Sequence, residues 1–411
     1  MIERGWEWRF AASPEELWPV LADTARFNNA IGLPRYAVEE TSRADGSVRR
    51  TGSARRFGLE LSWEEGVPEW VAPRRFAHER RFHSGPLRRV ATEITIDPPG
   101  DPTGVPPGDT TGVESVAAGS LVRYRLAIEP RFRMVAMLLR LGFIERFGRR
   151  LDRLFRAAAD DATAGGEPGF RAPPRPLPEA VRQRVAVRAQ ALAGQGYAAA
   201  TRLATHLVEA ADIDLERMRP RALARQWGAP PRDIIETCLA AAREGLLILR
   251  WDLICPRCRG AKIVVTSLDQ LPQGAHCPSC NIAFDRDFSL NVEVTFEPAD
   301  DLRPIAAGTY CLASPMAMEH IKIQQRLDAG GAALIEVELA DGDYRARTVE
   351  AGGATDFEVR EGALPQIVLG DGDPALGPER RLAHLHATNA TASYCPRRWP
   401  RSRACRRSST G

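Results

Sequence analysis

The sequence of 411 residues predicts an α+β protein of several domains. Its length is the first indication, because a single hydrophobic core rarely extends beyond about 250 to 300 residues. A Gly- and Pro-rich stretch, 163–178, has the composition of a linker between domains. Two close pairs of cysteines, Cys255/Cys258 and Cys277/Cys280, then indicate a small metal-stabilised segment further along the chain.

The first segment, 1–162, has the pattern of a strand, a helix, a series of strands and a long closing helix. Ser13-Pro14-Glu15-Glu16 has the residues of a capping box, with proline at the first helical position. Polar and apolar residues alternate over 121–128, which predicts a half-buried strand. The closing helix, predicted over 132–162, has one apolar stripe. This order predicts a helix-grip fold, in which a curved antiparallel sheet wraps around the last helix.

The order of these elements and the opening Ser-Pro-Glu-Glu-Leu-Trp resemble the START-related, polyketide-cyclase-like (SRPBCC) superfamily. The resemblance implies a START-like cavity between sheet and helix for an apolar small-molecule ligand, lipid-like or aromatic. The alternative is a filled interior that serves as a docking module. Four side chains are expected to line or flank the cavity: Trp63, Trp70, His78 and His83.

The next segment, 179–250, predicts helices followed by one strand. A short helix ends at Gly228, a second begins near Pro231, and a strand is expected over 246–251. Helix, glycine turn, helix and strand resemble a winged helix-turn-helix, which would suggest nucleic-acid binding. Acidic residues on the second helix disfavour that function, because affinity for the phosphate backbone depends on positive charge. We therefore do not expect a nucleic-acid partner.

The four cysteines form the pattern C-x2-C-x18-C-x2-C within 251–288, which predicts a zinc ribbon. Two intervening residues allow one turn to direct both sulfurs at one ion, and Gly260 is expected to supply the positive φ of the first turn. The predicted Zn²⁺ ligands are Cys255, Cys258, Cys277 and Cys280. Four thiolates leave no open coordination position, so the ion is expected to be structural rather than catalytic. Disulfides or redox-active cysteines are the alternatives.

No feature of the chain predicts export or membrane insertion. The first residues lack the basic-then-apolar pattern of a signal peptide. The longest apolar stretch, 134–144, is short and interrupted by Arg140, which argues against a membrane span. The net charge of +3 gives no reason to expect nucleic acid or an anionic membrane as partner. We expect a cytoplasmic protein, in which disulfides are disfavoured.

The segment 289–391 predicts a small antiparallel β-sandwich. Residues 291–296 alternate, and the turn sequence over 340–343 indicates a hairpin. His384 and His386 would share a strand face, but the sequence supplies no third metal ligand for them. The arginine-rich residues 392–411 are expected to be disordered. They are either a basic tail for an acidic partner or the product of a shifted reading frame in GC-rich DNA.

The stretch from Arg250 to Cys280, with the following Asn-Val-Glu-Val-Thr-Phe-Glu-Pro, is similar to the N-terminal region of bacterial class III adenylate/guanylate cyclases. The resemblance implies a regulatory or ligand-sensing role, with the cyclase catalytic domain as partner in a longer form. The Phe-Thr-Asp segment that holds the catalytic metal ions of those enzymes does not occur here. We therefore expect no catalytic residues, and expect the catalytic domain beyond residue 411. The alternatives are a winged-helix and zinc-ribbon regulator that binds nucleic acid, and a START-like small-molecule-binding protein or enzyme.

Overall fold

The computed structural model divides the chain into two units, Met1–Met318 and Glu319–Gly411. The predicted tail, 392–411, lies outside the described residues, as does most of 165–173 within the predicted linker. The described residues are 1–42, 48–56, 58–98, 119–164, 170, 174–280, 282–312, 314–327, 334–335, 337, 339–348, 354–360 and 381–387.

The first unit begins with an antiparallel sheet and the helices that pack on it. The sheet has the order β1-β8-β7-β6. The first part of β6 pairs with β5 and its last part pairs with β4. Strand β4 pairs in turn with β3, and β3 pairs with β2. This is the element order that the sequence predicted. The elements are β1 (Ile2–Phe10), α1 (Pro14–Leu21), α2 (Thr24–Ala30), β2 (Ala37–Ser42), β3 (Val48–Arg56), β4 (Leu59–Glu65), β5 (Glu69–Val71), β6 (Arg75–Phe82), β7 (Leu87–Asp97), β8 (Ser120–Pro130), α3 (Arg133–Leu138) and α4 (Ile144–Ala164).

The start of α1 confirms the predicted capping box. The backbone N–H of Glu16 donates to Ser13 Oγ (3.3 Å), and the backbone N–H of Ser13 donates to the Glu16 carboxylate (2.9 Å). Two N–H groups that the helix itself leaves without partners are therefore satisfied by local side chains.

The predicted closing helix is divided into α3 and α4. Gly142 between them has φ of +103°, a conformation that interrupts a helix and that residues with a Cβ rarely adopt. Beyond this kink, Ile144, Leu151 and Phe155 of α4 are buried, as the predicted apolar stripe requires. No helix in the described part of the chain is long and apolar enough to cross a membrane.

The described residues in the remainder of the first unit form five α-helices and five strands, besides short 3-10 turns. Gly228, in the left-handed conformation, ends α8 before α9 begins, and β9 follows, which is the order predicted for 179–250. Strand β9 lies at the centre of a sheet with the order β10-β9-β13. The elements are α5 (Glu179–Gly194), α6 (Ala200–Glu209), α7 (Asp212–Leu215), α8 (Pro220–Trp227), α9 (Pro231–Arg243), β9 (Leu247–Ile254), β10 (Ala261–Val265), β11 (Gly274–Cys277), β12 (Ile282–Asp285) and β13 (Val292–Pro298).

The described residues of the second unit form four antiparallel strands in the order β14-β17-β15-β16, namely β14 (Ile321–Leu327), β15 (Gly342–Thr348), β16 (Ala354–Val359) and β17 (Arg381–Ala387). The predicted sandwich began at residue 289, but the strand predicted there is β13, which pairs with β9 of the first unit. Alternation identifies a strand without identifying its partner, which explains the error. The described residues of this unit form one sheet, so a second facing sheet stays a prediction. The side chains of His384 and His386 lie outside the described part.

Candidate metal centre

Two hairpins bring the four predicted metal ligands together. Strands β9 and β10 are joined by a turn that contains Cys255 and Cys258, whereas Cys277 ends β11 and Cys280 precedes β12. Two backbone hydrogen bonds, each of 2.9 Å, close the first turn: Cys255 N donates to Gly260 O, and Arg259 N donates to Cys255 O. The second hairpin supplies the other pair of sulfurs.

The distances between the sulfurs fit a tetrahedral metal site. All four Sγ atoms lie within 4.8 Å of one another, and Cys258 Sγ is 3.7 Å from Cys277 Sγ. A tetrahedral ion with Zn–S distances of about 2.3 Å would place its sulfurs about 3.8 Å apart. A disulfide would require about 2.0 Å, and none of the four cysteines is disulfide-bonded. The donor set and its spacing therefore fit zinc.

The cluster is enclosed by protein and lies near a compensating charge. The four cysteines are between 0% and 4% exposed, and Ile282, Phe284 and Met318 pack against them. Burial alone would lower the pKa of Lys262, but the neighbouring Cys258 and Cys277 thiolates outweigh burial and raise it. The backbone N–H of Arg257 donates to Cys255 Sγ over 3.4 Å. These groups would offset the negative charge of a four-thiolate metal centre.

The positive φ of the first turn occurs at Arg259 (57°) and not at Gly260, as the sequence had suggested. For a residue with a Cβ this conformation costs about 1 to 2 kcal/mol. The Arg259 guanidinium donates to the carbonyl oxygen of Leu290 (2.7 Å), which ties the turn to the chain just before β13. This side-chain contact offsets part of the backbone cost.

A segment after the metal centre returns to the sheet of the helix-grip domain. We call residues 308–312 and Ser314 the return segment. Thr309 and Tyr36 exchange two backbone hydrogen bonds of 2.9 Å, and Leu312 N donates to the Tyr36 hydroxyl (3.2 Å). Asn28 donates to the carbonyl oxygen of Tyr310, which lies in the same segment (2.8 Å). Sequence reasoning missed this docking, since the segment has neither periodicity nor a motif.

Ion pairs join the helix-grip domain to the region around α7. Arg26 of α2 pairs with Asp214, and Arg35 pairs with Glu216 over 2.5 Å. Glu40 of β2 is also close enough to Lys262 to contribute to its raised pKa. The helix-grip domain therefore contacts the return segment, the helical region and the surroundings of the metal centre.

A buried carboxylate lies beneath the return segment. Glu65 accepts hydrogen bonds from the Tyr36 hydroxyl (3.0 Å), from Arg80 (3.0–3.1 Å) and from the Trp63 indole. His78 Nε2 is 3.3 Å from the same carboxylate. Burial would raise the pKa of Glu65, but Arg80 and His78 outweigh it and lower that pKa. Trp63 and His78, two of the predicted cavity residues, thus belong to one polar cluster.

The other two predicted cavity residues lie elsewhere. Trp70 is fully buried on β5, and His83 is exposed just after β6.

Aromatic side chains occupy the described space between the sheet and α4. Trp8 stacks on Phe155 with ring centroids 4.6 Å apart, and Tyr124 meets the same ring at 6.0 Å. Phe170 of the predicted linker lies 5.2 Å from Phe27 and 5.7 Å from Phe155, and it is 3% exposed. Rings of the chain itself therefore pack against one another in this part of the described interior.

Comparison with known proteins gives one family and several partial structural likenesses. The model of a family of unknown function, DUF5939, matches residues 183–322, a range that includes all four cysteines. No curated protein matches the chain.

The structural likenesses concern about two fifths of the chain. The protein TTHA0849 from Thermus thermophilus is 16% identical over 40% of this chain and 99% of its own, with a TM-score of 0.24. The Zhui aromatase/cyclase from Streptomyces sp. R1128 is 14% identical over 40% and 98%, with a TM-score of 0.24. A START superfamily protein from Mycobacterium smegmatis is 12% identical over 36% and 93%, with a TM-score of 0.21. These scores support no functional inference, and the helix-grip description rests on the chain's own strand pairings.

Proposed function

We propose that this chain is a non-catalytic regulatory region of an adenylate/guanylate cyclase-like protein, and that a structural zinc ion stabilises it. The observation that carries the proposal is the convergence of four buried cysteines from two hairpins. In this role the metal fixes a junction at which the helix-grip domain meets the winged-helix-like segment.

The chemistry of the donor set supports a structural ion. Zinc bound by Cys255, Cys258, Cys277 and Cys280 has a complete tetrahedral shell and no position for water or substrate. A catalytic zinc site would keep one position open. The aromatic packing in the described interior of the helix-grip domain likewise fits a module that acts by contact with other protein segments.

The association with a cyclase rests on the resemblance of 250–280 to the region that precedes class III catalytic domains. The contacts of the return segment and of Arg26 and Arg35 add a physical reason for a regulatory role. They hold the parts of the region in a defined arrangement, and a change in this arrangement would affect a domain attached to it. The nucleic-acid alternative gains no support from α9, where Arg232 is already paired with Glu236 (2.7 Å).

The test compares cyclase activity with and without this chain. If the coding DNA continues into a cyclase domain, that domain is expressed alone and fused to residues 1–411, and cyclic nucleotide formation is measured in both. The fusion should change the rate severalfold, and a Cys258→Ser variant, which lacks one ligand, should abolish that change. Cys238→Ser is the matched control, because Cys238 is buried but lies outside the metal cluster.

Two results would contradict the proposal. One is formation of cyclic nucleotide by residues 1–411 alone, since the region would then be catalytic. The other is an attached catalytic domain whose rate is the same with and without residues 1–411. Zinc content, measured by mass spectrometry, separately tests the metal: one ion per chain is expected, with loss in Cys258→Ser.

A START-like binding function remains the second candidate because of Phe170. Its ring packs against Phe27 and Phe155, in the interior where the START-like resemblance implies a ligand. A ligand would therefore have to displace a side chain of the linker. Mass spectrometry of molecules that copurify with the chain tests this function: recovery of one apolar species in stoichiometric amount would favour it.

A further inference from the structure

The corner between α3 and α4 exposes an unusual concentration of apolar side chains. We call residues 132–143 the α3–α4 corner. Six large apolar side chains here are between 54% and 70% exposed: Phe132, Met134, Met137, Leu138, Leu141 and Phe143. Contiguous apolar surface of this kind is uncommon on soluble monomers and marks a surface that binds another molecule.

The kink at Gly142 is the reason for the exposure. Because α4 turns away at this glycine, its buried stripe packs on the sheet while α3 has no buried residue. Leu139 and Ile144 are the buried residues next to the kink, and they fix the corner to the domain. The apolar side chains of α3 therefore extend away from the core that anchors them.

A groove of about 290 Å³ opens on this surface. It is lined by Val135, Leu138, Leu139, Leu141, Phe143 and Arg146. The lining is aliphatic and aromatic except for one guanidinium, so the groove suits an apolar chain that has a negatively charged end.

The charge around the corner is strongly positive. Exposed arginines at 133, 140 and 146 border the apolar side chains, and Glu145 is the only acidic residue between Arg131 and Leu151. The chain as a whole has a net charge of only +3, so the positive charge at the corner is a local feature. Apolar side chains bordered by arginines are the pattern of a segment that lies in a membrane interface.

We propose that the α3–α4 corner docks on the surface of an anionic lipid membrane. Its apolar side chains would enter the boundary between headgroups and acyl chains, and Arg133, Arg140 and Arg146 would contact lipid phosphates. The apolar stretch 134–144 is too short to span a bilayer but has the length of an interfacial segment. This inference goes beyond the regulatory role and does not depend on it.

Charge complementarity favours a membrane over a second copy of the chain. If two corners packed symmetrically, Arg133, Arg140 and Arg146 would approach the same arginines of the partner, and residues 131–151 supply only Glu145 as an acidic side chain to oppose them. Like charges at an interface are unfavourable. An anionic lipid surface satisfies the arginines and the apolar side chains together.

The experiment is vesicle flotation of the full chain. Phosphatidylcholine vesicles with and without phosphatidylserine are compared at low and physiological salt. Binding should require phosphatidylserine and weaken with salt. Replacing Arg133 and Arg140 by Gln should lower affinity for the anionic vesicles about fivefold per arginine. The double variant Met137→Asp/Leu141→Asp should lower affinity at least tenfold, because two apolar side chains no longer enter the interface.

Val187→Asp supplies the matched control. Val187 is 55% exposed on α5, away from the corner, so this variant should bind vesicles as the unmodified chain does. All variants change exposed side chains, and circular dichroism checks that each is folded. The proposal is overturned if the unmodified chain does not float with anionic vesicles at low salt, or if Met137→Asp/Leu141→Asp binds equally well. A dimer in sedimentation that this double variant dissociates, without vesicle binding, would assign the surface to a second copy instead.

Discussion

Glu65 shows how single residues stabilise the helix-grip domain. Its side chain is only 2% exposed, yet it is charged, because Arg80, Tyr36, Trp63 and His78 surround it with donors. A buried ion pair adds little net stability over an apolar pair, but removal of one partner leaves a charge buried without compensation. Replacement of Arg80 by an uncharged residue would therefore leave the Glu65 carboxylate buried without its main positive partner.

Replacing Arg80 by Met should destabilise the protein strongly. We expect the free energy of unfolding to fall by about 3 to 5 kcal/mol, because the Glu65 carboxylate loses its main partner. Urea denaturation followed by tryptophan fluorescence measures the change. Arg81→Met is the control: Arg81 pairs with Glu79 at the surface, where such pairs contribute about 0 to 1 kcal/mol. Equal losses in the two variants would contradict the prediction.

The same cluster predicts a dependence of stability on pH. The folded-state pKa of Glu65 is lowered from its ordinary value of 4.5, so the native protein holds the charged form more tightly than the unfolded chain does. Its contribution is therefore complete above pH 4.5 and is lost as the pH falls below that value toward the folded-state pKa. Unfolding free energies measured from neutral pH downward should decline less steeply in Glu65→Gln. Parallel curves for the two proteins would exclude Glu65 as the cause.

At the scale of elements, helices and strands assemble around groups that come from distant parts of the chain. Helix α4 contributes Phe155, α2 contributes Phe27, and the predicted linker contributes Phe170 to one aromatic cluster. The ring of Phe170 completes the packing that the two helices begin. This arrangement makes Phe170 part of the helix-grip interior.

Replacing Phe170 by Ala should open a cavity there. Removal of a buried Phe side chain costs about 3 to 5 kcal/mol, and an apolar cavity of this size can bind a small aromatic molecule. Benzene or indole should therefore raise the melting temperature of Phe170→Ala and leave that of the unmodified chain unchanged. Val187→Ala, on an exposed face of α5, controls for general effects of the additive. Stabilisation of the unmodified chain instead would indicate a cavity that is already available to ligand.

The elements also show which features local sequence can predict. The capping box at Ser13 and the strand β8 depend on residues that are close together in the sequence, and the structure has both where the sequence predicts them. The kink at Gly142 was missed because apolar periodicity continues across it. The pairing of β13 with β9 was missed because an alternating pattern carries no information about the neighbouring strand.

At the scale of the whole first unit, the metal centre and the return segment determine how its parts meet. The spacing of the cysteines was sufficient to predict the cluster, since two short turns fix the directions of the sulfurs. The docking of the return segment on the sheet could not be predicted in this way. Its hydrogen bonds to Tyr36 and Asn28 use backbone atoms of the segment, which no side-chain pattern in the sequence identifies.

Removal of zinc should loosen the junction without unfolding the helix-grip domain. The free energy of binding structural zinc is largely free energy of folding, so a chelator should unfold the hairpins that bear Cys255 and Cys277. Hydrogen exchange should then become faster over 247–285 and in the return segment, while β7, β8 and α4 stay protected. Addition of zinc after the chelator is the control and should restore protection. Simultaneous loss of protection in both regions would contradict this picture.

The return segment also constrains the order in which the protein can mature on the ribosome. Tyr36 emerges before the Leu312 amide that donates to its hydroxyl, which lies 276 residues later in the chain. At about 5 to 20 residues per second, the N-terminal sheet must wait roughly 14 to 55 seconds for this partner. Until then the edge around Tyr36 is available to solvent and to chaperones. The helix-grip domain is thus synthesised well before the segment that covers its Tyr36 edge.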